Sequence, residues 1–91
     1  MPRIYPGEGQ TPATAATRCR LSATPHALER QLQRGIEDEE IRNIIRRGTR
    51  IRVRERAVQG EKYKWIASNQ AITAVFFLRP CLMLLKTVMH T

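Results

Sequence analysis

The sequence predicts an α+β domain: two short N-terminal helices packed on a twisted, mainly antiparallel sheet of four strands. Three observations carry this. Between Thr24 and Arg47 the apolar residues recur at helical spacing, as Ile41, Ile44 and Ile45 do. From Arg50 the period drops to two. Glycine, proline and amide residues then divide the remainder into runs of strand length.

Residues 1–23 hold Pro2, Pro6, Gly7, Gly9, Pro12 and a Thr/Ala run without an apolar period, and read as a flexible linker or leader before a domain at 24–91. Thr24-Pro25 starts a helix, with Thr as N-cap and Pro in the first turn, and Gly35 ends it in the left-handed conformation. A second helix follows. Glu37, Asp38, Glu39 and Glu40 load its first turn and Arg46 and Arg47 its last, so both ends suit the helix dipole. Gly48 closes it. Residues 50–57 alternate Arg50, Arg52, Arg54 and Arg56 with Ile51, Val53, Glu55 and Ala57, giving a strand with one arginine face. Gln59-Gly60-Glu61 predicts a hairpin turn, 62–67 a strand, Ser68-Asn69-Gln70 a turn, and 71–78 a central strand apolar on both faces. Arg79-Pro80 turns the chain into a last strand from Cys81 to about Met89.

Sixteen basic residues, thirteen of them Arg, against eight acidic ones give a net charge of +8, which favours nucleic acid or an acidic protein as partner. Cys19 and Cys81 are far apart and outside any CxxC pair, so with two histidines they make no zinc motif. A Cys19–Cys81 disulfide stays open without support from the spacing; the favoured reading makes Cys81 a small core residue and Cys19 a linker thiol. No apolar N-terminal stretch marks a signal peptide, and Arg79-Pro80 cuts 71–85 into pieces too short for a membrane span. There is no glycine-rich phosphate loop, HExxH, GxSxG or carboxylate pair in an apolar setting, so neither a metal nor an organic cofactor is expected.

His26 leads the candidates for chemistry, because histidine moves protons near neutral pH. On a helix, Arg30 and Arg34 fall on its side, where fixed cations would hold a phosphate, while Leu28 and Leu32 lie on the far side. The plainer alternative is a solvated helix face with contacts such as Arg34 to Asp38. The arginine row at 50, 52, 54 and 56 tracks a phosphate backbone or protects an exposed strand by charge. Lys62 and Lys64 extend that patch, and Tyr63 and Trp65 on the other strand face are expected in the core, the alternative being a platform on which bases stack. Lys86 and Thr87 come late on the last strand, where Thr87 is placed to bond a phosphate oxygen.

The stretches His26-Ala27-Leu28-Glu29-Arg30 and Gln33-Arg34-Gly35-Ile36, the acidic helix start and the terminal Leu84-Leu85-Lys86-Thr87-Val88-Met89 together resemble a family of small toxin domains. That family occurs at the C-termini of bacterial polymorphic and contact-dependent inhibition toxins and as stand-alone relatives. It is grouped with the barnase–EndoU–colicin–RelE-like superfamily of metal-independent ribonucleases. The resemblance spans about Thr24 to Met89 and is most specific at its two ends; the Arg79-Pro80-Cys81 turn departs from its usual polar or glycine-bearing turn. It implies His26 and Arg30 as active-site residues, Thr87 as the contribution of the last strand, and Arg34 as a weaker match.

The expected activity is therefore cleavage of RNA, with tRNA the expected class, by His26-assisted attack of the 2′-hydroxyl. Arg30 with Lys62 or Lys64 would hold the phosphate. A cognate acidic immunity or antitoxin protein, a monomeric free state and action in the cytoplasm of a bacterial cell follow from the same resemblance. The other reading is a non-catalytic basic module of the same fold that docks RNA or an acidic protein.

Overall fold

The computed structural model describes residues 11–54 and 63–91. Its elements are α1 (Pro12–Arg18), β1 (Arg20–Ala23), α2 (Pro25–Arg34), α3 (Asp38–Arg47), β2 (Thr49–Arg54), β3 (Tyr63–Ser68), β4 (Ile72–Arg79) and β5 (Leu82–His90). The class is α+β as expected, with three helices instead of two and a mixed five-stranded sheet instead of four strands. The sheet order is β1-β5-β4-β3-β2. Strands β2 to β5 form the expected antiparallel meander, and β1 joins parallel to β5. The end of the first predicted strand (55–57), the turn at 59–61, Arg56 and Lys62 lie outside the described residues.

Both added elements come from the segment read as a linker, so residues 11–23 belong to the folded unit. Thr11-Pro12 repeats the signature of Thr24-Pro25: the Thr11 hydroxyl accepts from the Thr14 amide, with proline opening the helix. Helix α1 buries Pro12, Ala15 and Ala16, and Cys19 is buried at its C-cap; a search for large apolar residues misses these small ones. Arg42 of α3 donates to the carbonyls of Ala16 and Cys19, both at 2.9 Å, and so satisfies groups that the end of α1 leaves open.

Helix α2 starts and stops as predicted: Thr24 accepts from the Ala27 amide, and Gly35 takes φ +63°. Its buried side is not the one that carries Leu28 and Leu32. Leu28 and Leu32 are 51% and 76% exposed, while Ala27 and Gln31 are buried. The helix packs on β5 through the small Ala27. Gln31 faces the start of α3, donating to Asp38 Oδ1 at 2.8 Å and to the Ile36 carbonyl at 3.4 Å. Asp38 is thus held by Gln31, where the sequence suggested Arg34. Helix α3 carries the predicted acidic first turn and basic last turn and buries Ile41, Ile44 and Ile45.

Paired residues in neighbouring strands share a face, so the register sorts the sheet. Trp65, Phe76 and Leu85 line up, as do Ala67, Ala74 and Val88; with Met83 they make the helix-covered face. Ile51, Ile66, Val75 and Thr87 line up on the opposite, open face. One irregularity decides which side Thr87 takes. Phe76 pairs with Leu85 but Val75 pairs with Thr87, leaving Lys86 as an extra residue in β5. Without that bulge Thr87 would oppose Ala74 and point into the core, because a one-residue slip exchanges the faces. With it, Val88 reaches the core and Thr87 the open face.

The turn between β4 and β5 is short: Arg79 pairs with Leu82, and Pro80 and Cys81 make the corner, Cys81 at φ +47°. The expected roles of the cysteines are exchanged. Cys19 is a core residue and Cys81 is exposed, because α1 brings Cys19 inward while the corner leaves Cys81 outside. Among the described residues no helix is long and apolar enough to cross a membrane.

Candidate active site

Two elements distant in sequence build the site. β1 runs beside β5 only as far as Ala23, opposite Leu85. The chain then bends into α2. At the bend the Thr24 amide donates to the Leu85 carbonyl at 3.0 Å, and the Thr24 hydroxyl donates to the Lys86 carbonyl at 3.3 Å. The same oxygen caps α2. Thr24 therefore ties the first turn of α2 to the bulge of β5. Thr24→Ala is expected to lower stability by about 1 kcal/mol, as loss of an N-cap does, measured by urea unfolding; Thr24→Ser should keep most of it.

That tie brings His26 to Thr87. The imidazole Nε2 and the Thr87 hydroxyl are 3.4 Å apart across 61 residues of sequence. His26 is exposed and Thr87 half-buried, so the pair meets solvent with one side anchored. Lys86, the extra residue of the bulge, is exposed beside them and sets its ammonium 5.0 Å from the centre of the Phe77 ring. Phe77 pairs with Leu84 away from the core cluster, so this ammonium lies on the side to which Thr87 turns. A histidine, a hydroxyl and an ammonium thus share one edge of the open face, where His26 is exposed.

Arg30 is half-buried one turn along α2 from His26, and its guanidinium donates to Gln33 Oε1 at 3.4 Å, while Gln33 donates to Glu29 at 3.2 Å. Arg34 is the exposed last residue of α2, placed to complement the helix dipole. Both stay on the helix of His26, as predicted.

The arginine strand does not join them. β2 is the opposite edge of the sheet, three strands from β5 and so roughly 14 Å away. Arg50, Arg52 and Arg54 pair with Ala67, Trp65 and Tyr63, which puts them on the helix-covered side of the sheet, not on the open face of Thr87. Arg50 is a capping residue: it donates to the carbonyls of Ile45 and Arg46 at the end of α3, both at 2.8 Å. Arg52 stacks over Tyr63 at 4.7 Å and Trp65 at 5.9 Å. Arg54 ends β2 and is exposed, as Arg50 and Arg52 are. Lys64 pairs with Val53 and so faces away from the arginines, correcting the expected single patch. Arg50→Ala is expected to lower stability by about 1 kcal/mol in urea unfolding.

Comparison with known proteins gives one result. A family described as a domain of unknown function, DUF4258, matches residues 23–90. The chain belongs to the DUF4258 family. No curated protein and no solved structure matches the chain.

The DUF4258 match begins at Ala23 and so takes in α2 with His26 and β5 with Thr87, while α1 and most of β1 precede it. Sequence reasoning found His26, Lys86 and Thr87 in this DUF4258 domain one by one. It missed Thr24 as the link between them, although its N-cap signature was visible. It also missed the bulge, whose signal is the spacing of buried Met83, Leu85 and Val88, a period of two that slips by one at Lys86.

Proposed function

We propose that this DUF4258 domain is a metal-independent endoribonuclease of the barnase–EndoU–colicin–RelE-like kind, a toxin domain acting on RNA, with tRNA the preferred class. The observation that carries the reading is the approach of His26 to Thr87, with Lys86 on the same edge. His26 takes the proton of a 2′-hydroxyl as that oxygen bonds to the adjacent phosphorus, and the bond from phosphorus to the 5′ oxygen breaks. The leaving oxygen collects a proton from the imidazolium or from water. Thr87 donates to a phosphate oxygen, and Lys86 and Arg30 offset the charge that develops there. Lys86 takes the role that the sequence had given to Lys62 or Lys64. The row Ile51, Ile66 and Val75 leads across the open face to Thr87 and offers an apolar shelf for the bases beside the cut.

The toxin reading brings the rest with it: a cognate immunity or antitoxin protein with an acidic face over His26 and Lys86, and action in the cytoplasm of a bacterial cell, its own or one receiving the domain. The net charge of +8 supports an acidic partner. A second reading, a basic module that binds RNA without cutting it, is favoured by one observation: Arg52 and Arg54 lie on the edge opposite the His26 pair, so binding and chemistry are separable.

The test is the chemistry of the ends. Bacterial tRNA incubated with the purified chain should yield fragments whose 3′ ends refuse ligation until the phosphate is removed. Fragments ending in a 3′-hydroxyl would contradict attack by the 2′-hydroxyl, and bound but intact tRNA would favour the second reading.

A further inference from the structure

Cys19 and Cys81 are 62 residues apart, yet their sulfurs lie 2.9 Å from each other. The fold builds this contact from two directions. Strands β1 and β5 run parallel with Arg20 opposite Leu82, which sets the two preceding residues, the cysteines, side by side where the pair begins. The Pro80-Cys81 corner, with Cys81 at φ +47°, then turns that residue against the end of α1.

We propose that Cys19 and Cys81 are a redox modification site, closing to a disulfide when the domain meets a small-molecule disulfide oxidant of the glutathione type. This inference is independent of the ribonuclease reading. Cys81 is exposed and Cys19 is 4% exposed, so the order of events follows from access. The Cys81 thiolate attacks one sulfur of the oxidant and expels a thiolate, forming a mixed disulfide. The Cys19 thiolate then attacks the Cys81 sulfur, the protein disulfide forms, and the second small thiolate leaves. Two protein thiols are oxidised, one small disulfide is reduced to two thiols, and the two cysteine protons end on those thiols. Hydrogen bonding with Cys19 raises the Cys81 thiol above its ordinary range, and the Cys19 charge adds to it. The first step is therefore slow at neutral pH and quicker in mild alkali.

The bond would lock the start of the β1–β5 pair, five residues before Thr24 meets Lys86. It closes a loop of about sixty residues, and a crosslink of that span restricts the unfolded chain strongly.

The experiment treats the purified full chain with oxidised glutathione in mild alkali, beside a sample kept in dithiothreitol, and reads intact mass, alkylatable thiols and Tm. The expected product is a monomer lighter by two hydrogens, with no alkylatable thiol and a Tm raised by roughly 10 °C. Cys81→Ser, a change at an exposed corner, should lose both the mass change and the Tm gain; Cys19→Ala should stop the reaction at a glutathione adduct on Cys81. A wild-type chain that ends as that adduct, as a disulfide-linked dimer, or as an internally bonded form of lower Tm would overturn the proposal.

Discussion

His26→Ala is expected to reduce RNA cleavage by a factor of 10² to 10⁴, the range that a positioned general acid or base supplies. The fold should survive, because His26 is an exposed side chain of the first turn of α2, in contact with the Thr87 hydroxyl at the surface. The far-ultraviolet spectrum and urea midpoint should therefore match those of wild type, and so should affinity for RNA in an uncut form. Thr87 makes a useful companion. Thr87→Val keeps the shape and removes the hydroxyl, so a smaller loss in rate is expected from it than from His26→Ala. A His26→Ala chain that cleaves RNA at the wild-type rate would remove this mechanism whatever the fate of the fold.

Gly48→Ala is expected to destabilise the domain by about 3 kcal/mol, visible as a Tm lower by more than about 10 °C. The reason is space and not dihedral freedom, since Gly48 has φ −77°. A Cβ placed there would lie 2.5 Å from the Ser68 carbonyl oxygen and 2.6 Å from that of Ile44. Both are backbone atoms, one in β3 and one in α3, so neither can swing aside as a long side chain would. The Gly48 amide also donates to the Ile44 carbonyl at 2.7 Å, which fixes how closely α3 runs into β2. In a domain this small, a loss of that size is a large part of the total stability. A thermal scan in which Gly48→Ala melts with wild type would mean that α3 and β3 can separate more easily than this contact implies.

Much of this architecture is readable from residue order because local chemistry and tertiary packing agree. Thr24-Pro25 and Gly35 bound α2, the acidic and basic turns bound α3, and Arg79-Pro80 marks the last hairpin. Where they disagree, reading fails for identifiable reasons. Helix α1 hides because its buried residues are a proline and two alanines, too small to register as an apolar stripe. Strand β1 has four residues and gains its place only by pairing with β5, a partner some sixty residues away. Leu28 and Leu32 look like a core stripe, but close approach of α2 to β5 selects Ala27 instead. The candidate site was legible as separate residues. His26 and Thr87 could be named from sequence, but the face that Thr87 presents depends on a bulge at Lys86. For the arginine row, alternation shows that residues share a side of a strand and not what that side meets. Arg50 meets the end of α3, and Arg52 meets Tyr63 and Trp65.

The measurement that bears most directly on the central claim is cleavage of total bacterial RNA by the purified chain in the presence of EDTA, with wild type and His26→Ala run side by side on a denaturing gel. Discrete fragments are expected in the wild-type lane and none in the variant lane. Intact RNA in both lanes, from protein shown to be folded by its thermal transition, would contradict it.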